Sequence, residues 1–153
     1  DISPGADSSG PRHLAALGNK VIFTADDNAF GSEAWVSDGT EEGTFRLTDI
    51  APGPLGTLLR EFRVVNDYVY FLDWTTLYRT DGTVEGTVQL DIPDANYFYM
   101  ETNGELLLLA GFDGTGYVSD GTEAGTFQLT DSNGEPIRDL RLDPNRPLPT
   151  NSA

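Results

Sequence analysis

The sequence predicts an all-β protein assembled from propeller-type blades, each made of four short antiparallel strands. Three observations support this prediction. A pattern of eight residues occurs three times at a near-constant spacing, short β-type runs separated by turn residues flank each copy, and no segment keeps a helical apolar period. Four short strands in a repeat of about 40–45 residues are typical of a propeller blade.

The repeated pattern is Ser/Thr followed by DGTxxGT, at residues 37–44, 80–87 and 119–126. Two positions before the Ser or Thr of each copy lies an aromatic residue, which we expect to pack between blades rather than to bind a ligand. The predicted structural residues of the three copies are Trp35, Asp38, Gly39, Thr40, Tyr78, Asp81, Gly82, Thr83, Tyr117, Asp120, Gly121 and Thr122.

The DGT residues are predicted to form a self-satisfied loop between the third and fourth strands of a blade. An Asp side chain can hydrogen-bond to backbone two residues on, Gly accepts a positive φ, and Thr hydroxyls cap neighbouring amides. The alternative makes Asp38, Asp81 and Asp120 oxygen ligands for calcium. Because Ca²⁺ takes about 6–8 oxygens, one Asp in each loop falls short unless backbone carbonyls help.

The strands are expected to follow one another in the same order in each blade. A turn dipeptide separates the first strand from the second: Gly18-Asn19, Asn66-Asp67 or Asn103-Gly104. These residues supply the positive φ angles that two-residue hairpins need. The predicted first strands are residues 14–17, 62–65 and 97–102, the second strands 21–23, 69–71 and 106–108, and the fourth strands 45–48, 88–90 and 127–130.

The blades account for most of the chain, with partial units at both ends. Residues 1–5 repeat as 49–53, and residues 138–142 resemble 60–64. Because a propeller generally needs about four to eight blades, we expect a larger ring, completed by further blades of the same parent chain or by a second copy. The predicted divisions are 1–11 as the tail of a preceding repeat, 12–54, 55–95 and 96–135 as three blades, and 136–153 as the start of a further unit with a Pro-rich linker.

Residues 33–44 carry a family resemblance: they resemble the ELWxxDGTxxGT repeat of large secreted bacterial proteins. The resemblance implies a propeller-type repeat in extracellular, often adhesive, multidomain proteins, and so a secreted or cell-surface location in a bacterium. It brings no catalytic residues to carry over. The departures from the repeat are tyrosine for tryptophan in the second and third copies, Ala34 and Gly116 for leucine, and Thr76 and Thr115 for glutamate.

Composition excludes several classes of partner and chemistry. The 153 residues have a net charge of −16, from 25 acidic and 9 basic residues, and a field of that sign repels nucleic acid and anionic lipid. No cysteine is present, which excludes disulfides, thiolate nucleophiles and cysteine-based zinc sites. No apolar run approaches the length of a membrane span, so membrane insertion is not expected.

The best candidate for a metal site is Asp26, Asp27 and Asn28, where three oxygen-bearing side chains follow one another in the hairpin before Trp35. Any calcium bound there is expected to stabilise a loop rather than to take part in chemistry. The alternative is an acidic loop in contact with solvent only.

The candidate binding residues are Trp74 and its neighbour Asp73. The repeat does not demand an aromatic residue at this position, and an exposed Trp beside an Asp is a suitable platform for a sugar ring or a protein partner. The alternative is burial of the indole against a neighbouring blade.

The leading functional prediction is a non-catalytic extracellular propeller segment that binds a protein or glycan partner in adhesion. The alternative is a fragment of a propeller carbohydrate-active enzyme that uses paired carboxylates at the propeller axis. Such an enzyme needs at least two converging carboxylates in unequal environments, whereas an interaction module does not. His13 is the one histidine, and a Ser-His-Asp set would have to include it.

Overall fold

A computed structural model describes residues 2–3, 7–74, 76–91, 97–122 and 124–138. These residues form three four-stranded antiparallel sheets. The described ranges contain no helix, and therefore none that could cross a membrane. The all-β class and the four-strand repeat predicted from the sequence are confirmed. Residues 139–142 of the predicted further unit, and the Pro-rich stretch after them, lie outside the described residues.

Each sheet is a meander in which every strand pairs with the next strand along the chain. The first sheet is β1 (Arg12–Leu17), β2 (Lys20–Asp26), β3 (Ser32–Ser37) and β4 (Phe45–Arg46). The second sheet is β5 (Leu59–Val65), β6 (Tyr68–Asp73), β7 (Thr76–Thr80) and β8 (Val88–Leu90). The third sheet is β9 (Tyr97–Thr102), β10 (Leu107–Gly111), β11 (Gly116–Ser119) and β12 (Thr126–Gln128).

The predicted two-residue turns occur in the first two sheets. Gly18 and Asn66 open these turns with φ angles of 60° and 52°, as the sequence predicted. In the third sheet Thr102 pairs with Leu107, so the loop is longer than predicted. The side-chain oxygen of Asn103 caps two amides inside that loop, which satisfies backbone that a tight hairpin would have paired.

The first strands of the first two sheets carry a β-bulge at the same position. The pairing register shifts between Arg12 and Ala15 in β1, and between Arg60 and Arg63 in β5. His13 and Glu61 lie inside these bulges with positive φ angles of 52° and 58°. A bulge bends its strand and redirects side chains, so Glu61 leaves the regular alternation of β5.

Two hydrophobic cores lie between consecutive sheets, because side chains that alternate along each strand face one neighbour and then the other. Val69 packs into the core shared by the first and second sheets, while the adjacent Tyr70 packs into the core shared by the second and third. The first strands β1, β5 and β9 contact one another in succession. Tyr117 lies in the second of these cores, and Tyr78 packs against the first.

The outer face of the first sheet is covered by the beginning of the chain. Ile2 packs against a buried cluster of Phe23, Ala25 and Trp35. Ile50, at the equivalent position of the next repeat, packs against the core between the first two sheets.

Buried Glu33 holds the connection between the first and second sheets. Its side chain is fully buried, and its carboxylate accepts hydrogen bonds from Thr48 Oγ1 (2.6 Å) and from the backbone amides of Ile50 and Ala51 (both 3.2 Å). Further along, a Cβ atom on Gly31 would lie 2.2 Å from the backbone nitrogen of Gly56. The connection therefore passes tightly over the hairpin between β2 and β3.

Candidate functional site

The DGT loops, residues 37–44, 80–87 and 119–126, have the same hydrogen bonds in all three sheets. In the first loop, Asp38 Oδ1 accepts from the amide (2.9 Å) and the hydroxyl (2.7 Å) of Thr40. Thr40 Oγ1 in turn accepts from the amide of Gly43 at 2.9 Å. The hydroxyl bond from Thr40 and the backbone amide hold the pKa of Asp38 below its usual range. Each Asp carboxylate is thus engaged by its own loop.

The second glycine of each DGT loop leaves room for this Asp. A Cβ atom on Gly43, Gly86 or Gly125 would lie 1.9–2.1 Å from Oδ1 of the Asp in the same loop. Real Cβ atoms do not approach so closely, so the Asp can keep this position only where the second glycine carries no side chain. This arrangement supports a scaffolding role for the motif.

Two DGT loops are fastened to the preceding sheet by a cationic side chain, a contact that we call a latch. Lys20 Nζ donates to the carbonyl oxygen of Gly82 at 3.2 Å, and Arg79 Nη1 donates to the carbonyl oxygen of Gly121 at 2.7 Å. Gly82 and Gly121 are buried, whereas Gly39 of the first loop is exposed. Sequence reasoning missed both latches, because the two donors occupy different positions of the repeat.

The opposite end of the sheets carries one exposed aromatic side chain in each hairpin between the second and third strands. Because the strands are antiparallel, these hairpins lie at the other end from the DGT loops. Phe30, Trp74 and Phe112 are 39%, 64% and 67% exposed, and we call these three residues the aromatic rim. Each has a nearby aspartate in the sequence: Asp27, Asp73 and Asp113. The repeat pattern indicated Trp74 but not the two phenylalanines, although each is the sole aromatic residue of its hairpin.

Trp74 is presented to solvent from a constrained backbone. Its φ is 49°, which is a rare conformation for a bulky residue. Arg60 Nη2 donates to the carbonyl oxygen of Trp74 at 2.5 Å, and Thr57 Oγ1 donates to Asp73 Oδ1. Leu58, which precedes the partner of Asp73 in β5, is also exposed. The indole is therefore not buried against a neighbouring sheet of this chain.

The predicted metal-binding residues are engaged in the turn that carries Phe30. Asp26 Oδ1 accepts from the amide of Asn28 at 2.7 Å, and Asp27 Oδ1 accepts from the amide of Phe30 at 2.8 Å. Asp27 Oδ2 lies 3.8 Å from Arg46 Nη1, and the Arg46 guanidinium lies 3.5 Å from the centre of the Phe30 ring. Among the described residues, no three His, Cys, Asp or Glu side chains are grouped to hold a metal ion. Calcium binding at Asp26, Asp27 and Asn28 stays a prediction.

The third hairpin of the rim is closed by Asp113. Its Oδ1 accepts from the hydroxyl (2.6 Å) and the amide (3.0 Å) of Thr115, and these bonds hold the pKa of Asp113 below its usual range. Arg138 lies 3.6 Å from the other carboxylate oxygen. The hairpin that carries exposed Phe112 is thus tied at its base.

A charged cluster lies where the first strands of the second and third sheets meet. Arg63 Nη2 lies 2.9 Å from Glu61 Oε2 and 3.9 Å from Glu101 Oε1. Tyr99 donates to Glu101 Oε1 at 2.6 Å, and this bond, together with burial, raises the pKa of the Tyr99 hydroxyl. Arg63 and Glu101 occupy equivalent positions, opposite Tyr70 and Leu108. Two partly buried carboxylates therefore approach one guanidinium, and the local sequence pattern does not indicate this cluster.

No protein-family model matches the chain, and no curated protein matches it. Among solved structures, the chain is similar to one from a structural and mechanistic analysis of two prolyl endopeptidases, with a TM-score of 0.49 and 11% sequence identity. The match covers 84% of this chain and 20% of that chain. A likeness at this level carries no argument about fold or function.

Proposed function

We propose that the chain is a non-catalytic, propeller-type segment of a secreted or cell-surface bacterial protein, and that it binds a protein or glycan partner through the aromatic rim. One observation carries the proposal: equivalent hairpins of three consecutive sheets each present an exposed aromatic side chain at the same end. Exposed aromatic side chains at a common edge are typical of interaction sites.

The two ends of the sheets differ in structure, and this difference supports the proposal. At one end the DGT loops satisfy their own polar groups and receive the latches, which is a scaffolding role. At the other end the hairpins of the second and third sheets are tied at their base, and all three rim side chains are at least partly exposed to solvent. Rigid elements that carry exposed side chains lower the entropy lost on binding.

The location and the class of partner follow from sequence and charge. The resemblance of residues 33–44 to the ELWxxDGT repeat supports secretion or surface display. The net charge of −16 argues against nucleic acid and anionic lipid as partners. The successive inter-sheet cores support completion of a larger ring by further blades or by a second copy. Sedimentation of the purified chain tests this part, since a stable monomer without a partner contradicts it.

A binding screen against immobilised glycans and matrix proteins, with calcium and with chelator, tests the proposed function. We expect the wild-type chain to be retained by at least one ligand, and Trp74→Ala to lose most of that binding. Phe127→Ala is the matched control, because Phe127 is 59% exposed but lies on β12, outside the rim. Equal retention of Trp74→Ala and wild type, or no retention by any ligand, contradicts the proposal.

One observation favours a second candidate, a fragment of a carbohydrate-active enzyme with paired carboxylates. Glu61 and Glu101 both approach Arg63 between the first strands of two sheets. Such enzymes use one carboxyl as acid and another as base or nucleophile. Release of reducing ends from soluble polysaccharides, abolished in both Glu61→Gln and Glu101→Gln, supports this candidate over the binding segment.

A further inference from the structure

Trp74 occupies a backbone conformation that its own side chain disfavours. A bulky residue at a φ of 49° is strained, and such strain persists only where surrounding structure imposes it. Here Arg60 holds the Trp74 carbonyl and Thr57 holds the neighbouring carboxylate. Asn and Gly accept this conformation more readily than Trp. A turn without a binding role would be more stable with Asn or Gly at this position, whereas the protein has an exposed indole on a strained backbone.

Asp73, the residue before Trp74, supplies a carboxylate to the same hairpin. Its Oδ1 accepts from Thr57, and no hydrogen bond from a described residue reaches its Oδ2. The negatively charged face of an indole attracts the weakly positive C–H groups of a pyranose ring, and a carboxylate oxygen accepts hydrogen bonds from sugar hydroxyls. The exposed indole and the carboxylate of the preceding residue offer contacts to the two kinds of surface that a sugar presents.

An exposed aromatic side chain near an aspartate also occurs in the neighbouring sheets. There Arg46 lies over one face of the Phe30 ring, and arginines pair with Asp27 and Asp113. Phe30 follows Asp27 closely in the first sheet, and Phe112 precedes Asp113 in the third. A repeating surface suits a repeating ligand, because each additional contact along one polymer is made at high effective concentration. A polysaccharide, whose units recur along the chain, is such a ligand.

The negative charge of the protein favours neutral over anionic polysaccharides as ligands. The net charge of −16 and the Asp73 carboxylate in the Trp74 hairpin repel uronic acid or sulfated polymers. A neutral polysaccharide is not repelled in this way, and it still offers hydroxyl donors and C–H faces.

We propose that the aromatic rim binds a neutral polysaccharide, with Trp74 as the stacking platform and Asp73 as the hydroxyl acceptor. This inference rests on the proposed function and specifies its ligand class. Phe112 contributes to binding of the polymer as a second contact, one sheet away.

The test is a titration of the whole chain with cellohexaose, xylohexaose, maltohexaose and chitohexaose, measured by isothermal titration calorimetry for every variant and, for wild type, also by tryptophan emission. Trp35 is only 9% exposed, so a change in emission reports on Trp74. We expect saturable binding of at least one neutral hexaose, a tenfold or greater loss of affinity in Trp74→Ala, and a smaller loss in Trp74→Phe. Asp73→Asn keeps an acceptor for Thr57 through Oδ1 and is expected to weaken binding several-fold.

Two controls separate rim binding from a general effect. Phe127→Ala is expected to bind like wild type. Phe112→Ala is expected to weaken retention on the insoluble polysaccharide built from the sugar that binds, while its affinity for a trisaccharide of that sugar stays unchanged. Hexagalacturonate serves as the anionic comparison and is expected not to bind. Tighter binding of hexagalacturonate than of every neutral hexaose, or equal neutral-hexaose affinity in Trp74→Ala and wild type, overturns the inference.

A parallel arm with wells coated in collagen and fibronectin distinguishes failure of this inference from failure of the proposed function. Binding to these proteins that depends on Trp74, without binding of any neutral hexaose, overturns the glycan inference and leaves the proposed function standing. The exposed Leu58 beside Trp74 would then contribute to a protein interface. Absence of binding in both arms overturns both.

Discussion

Arg79 Nη1 donates a hydrogen bond of 2.7 Å to the carbonyl oxygen of Gly121, which joins the second sheet to the DGT loop of the third. The Arg79 guanidinium also lies 4.7 Å from the centre of the Tyr68 ring. Tyr68 is the first residue of β6, the position that Lys20 holds in β2. Lys20 makes the corresponding bond, to Gly82. The equivalent glycine carbonyl of two DGT loops therefore receives a hydrogen bond from different donors. Tyr68 stands at the position of Lys20, and Arg79 on the neighbouring strand supplies the donor instead.

Removal of the latches is expected to loosen the contacts between sheets. Arg79→Met should lower the free energy of unfolding by about 1.5–3 kcal/mol, because a charged donor is lost to a buried carbonyl. Lys20→Met should cost about 1 kcal/mol or less, since its bond is longer. Chemical denaturation measures both. Arg138→Met, at an exposed arginine, is the control and should change stability by about 0.5 kcal/mol at most.

The second glycine of a DGT loop is expected to tolerate no side chain. Gly86→Ala places a Cβ atom 2.1 Å from Asp81 Oδ1, so the carboxylate must leave its bonds to Thr83. We expect a loss of about 1–3 kcal/mol in the free energy of unfolding. Glu85→Ala, at the exposed preceding residue, should be close to neutral. Equal stability of Gly86→Ala and wild type contradicts the requirement for glycine beside the Asp81 carboxylate.

Glu33→Gln is expected to destabilise the first sheet and its connection to the second. The carboxylate accepts three hydrogen bonds in a fully buried position, and these bonds use both of its oxygens. In glutamine an NH2 group replaces one oxygen, so it faces at least one N–H or O–H donor that then has no acceptor. A buried unsatisfied group costs about 1–3 kcal/mol. Thermal unfolding of Glu33→Gln measures the loss, with the exposed Glu42→Gln as control. A midpoint unchanged from wild type would show that the carboxylate is dispensable.

The DGT loops predict how stability depends on acidity. Hydrogen bonds from Thr40, Thr83 and Thr122 hold the pKa values of the three motif aspartates below their usual range. A lowered pKa in the folded state stabilises the fold fully above the unfolded value of about 3.9, and this stability is lost as the pH falls through the folded values. Thermal midpoints are expected to fall as the pH drops below 4. In Asp81→Asn the drop over the same range should be smaller than in wild type.

Trp74→Asn is expected to separate stability from binding. Asn accepts a positive φ more readily than Trp, so relief of strain should raise the free energy of unfolding by up to about 1 kcal/mol. The same substitution removes the exposed indole and should abolish retention on the ligand. Denaturation and binding are measured on one preparation. A variant that is less stable than wild type would show that the indole packs in the fold.

Features that depend on neighbours in the chain could be predicted from the sequence. The turns at Gly18 and Asn66 and the Asp–Thr bonds of the DGT loops join residues a few positions apart, so their chemistry is visible in the local pattern. The longer loop after Thr102 was not predicted, because the Asn103-Gly104 dipeptide is compatible with both a tight hairpin and a capped loop.

The candidate site was only partly predictable for the same reason. Trp74 stood out because the repeat does not demand an aromatic residue there, but nothing in the sequence decided between exposure and burial. That choice depends on how the hairpin meets the connection before β5, where Thr57 and Arg60 hold it. The metal candidates Asp26 and Asp27 looked available in the sequence, whereas the fold brings Arg46 beside Asp27.

The amino-acid sequence alone determined the all-β class, the four-strand repeat and the loop chemistry of the DGT motif, because each follows from spacing and from hydrogen bonds between near neighbours. Only the tertiary structure decided which cations latch one sheet to the next, which two glutamates approach Arg63, and which aromatic side chains share one end. Lys20 and Gly82 lie 62 residues apart. Contacts across such separations arise from the packing of sheets on one another, and the local pattern of residues carries no record of that packing.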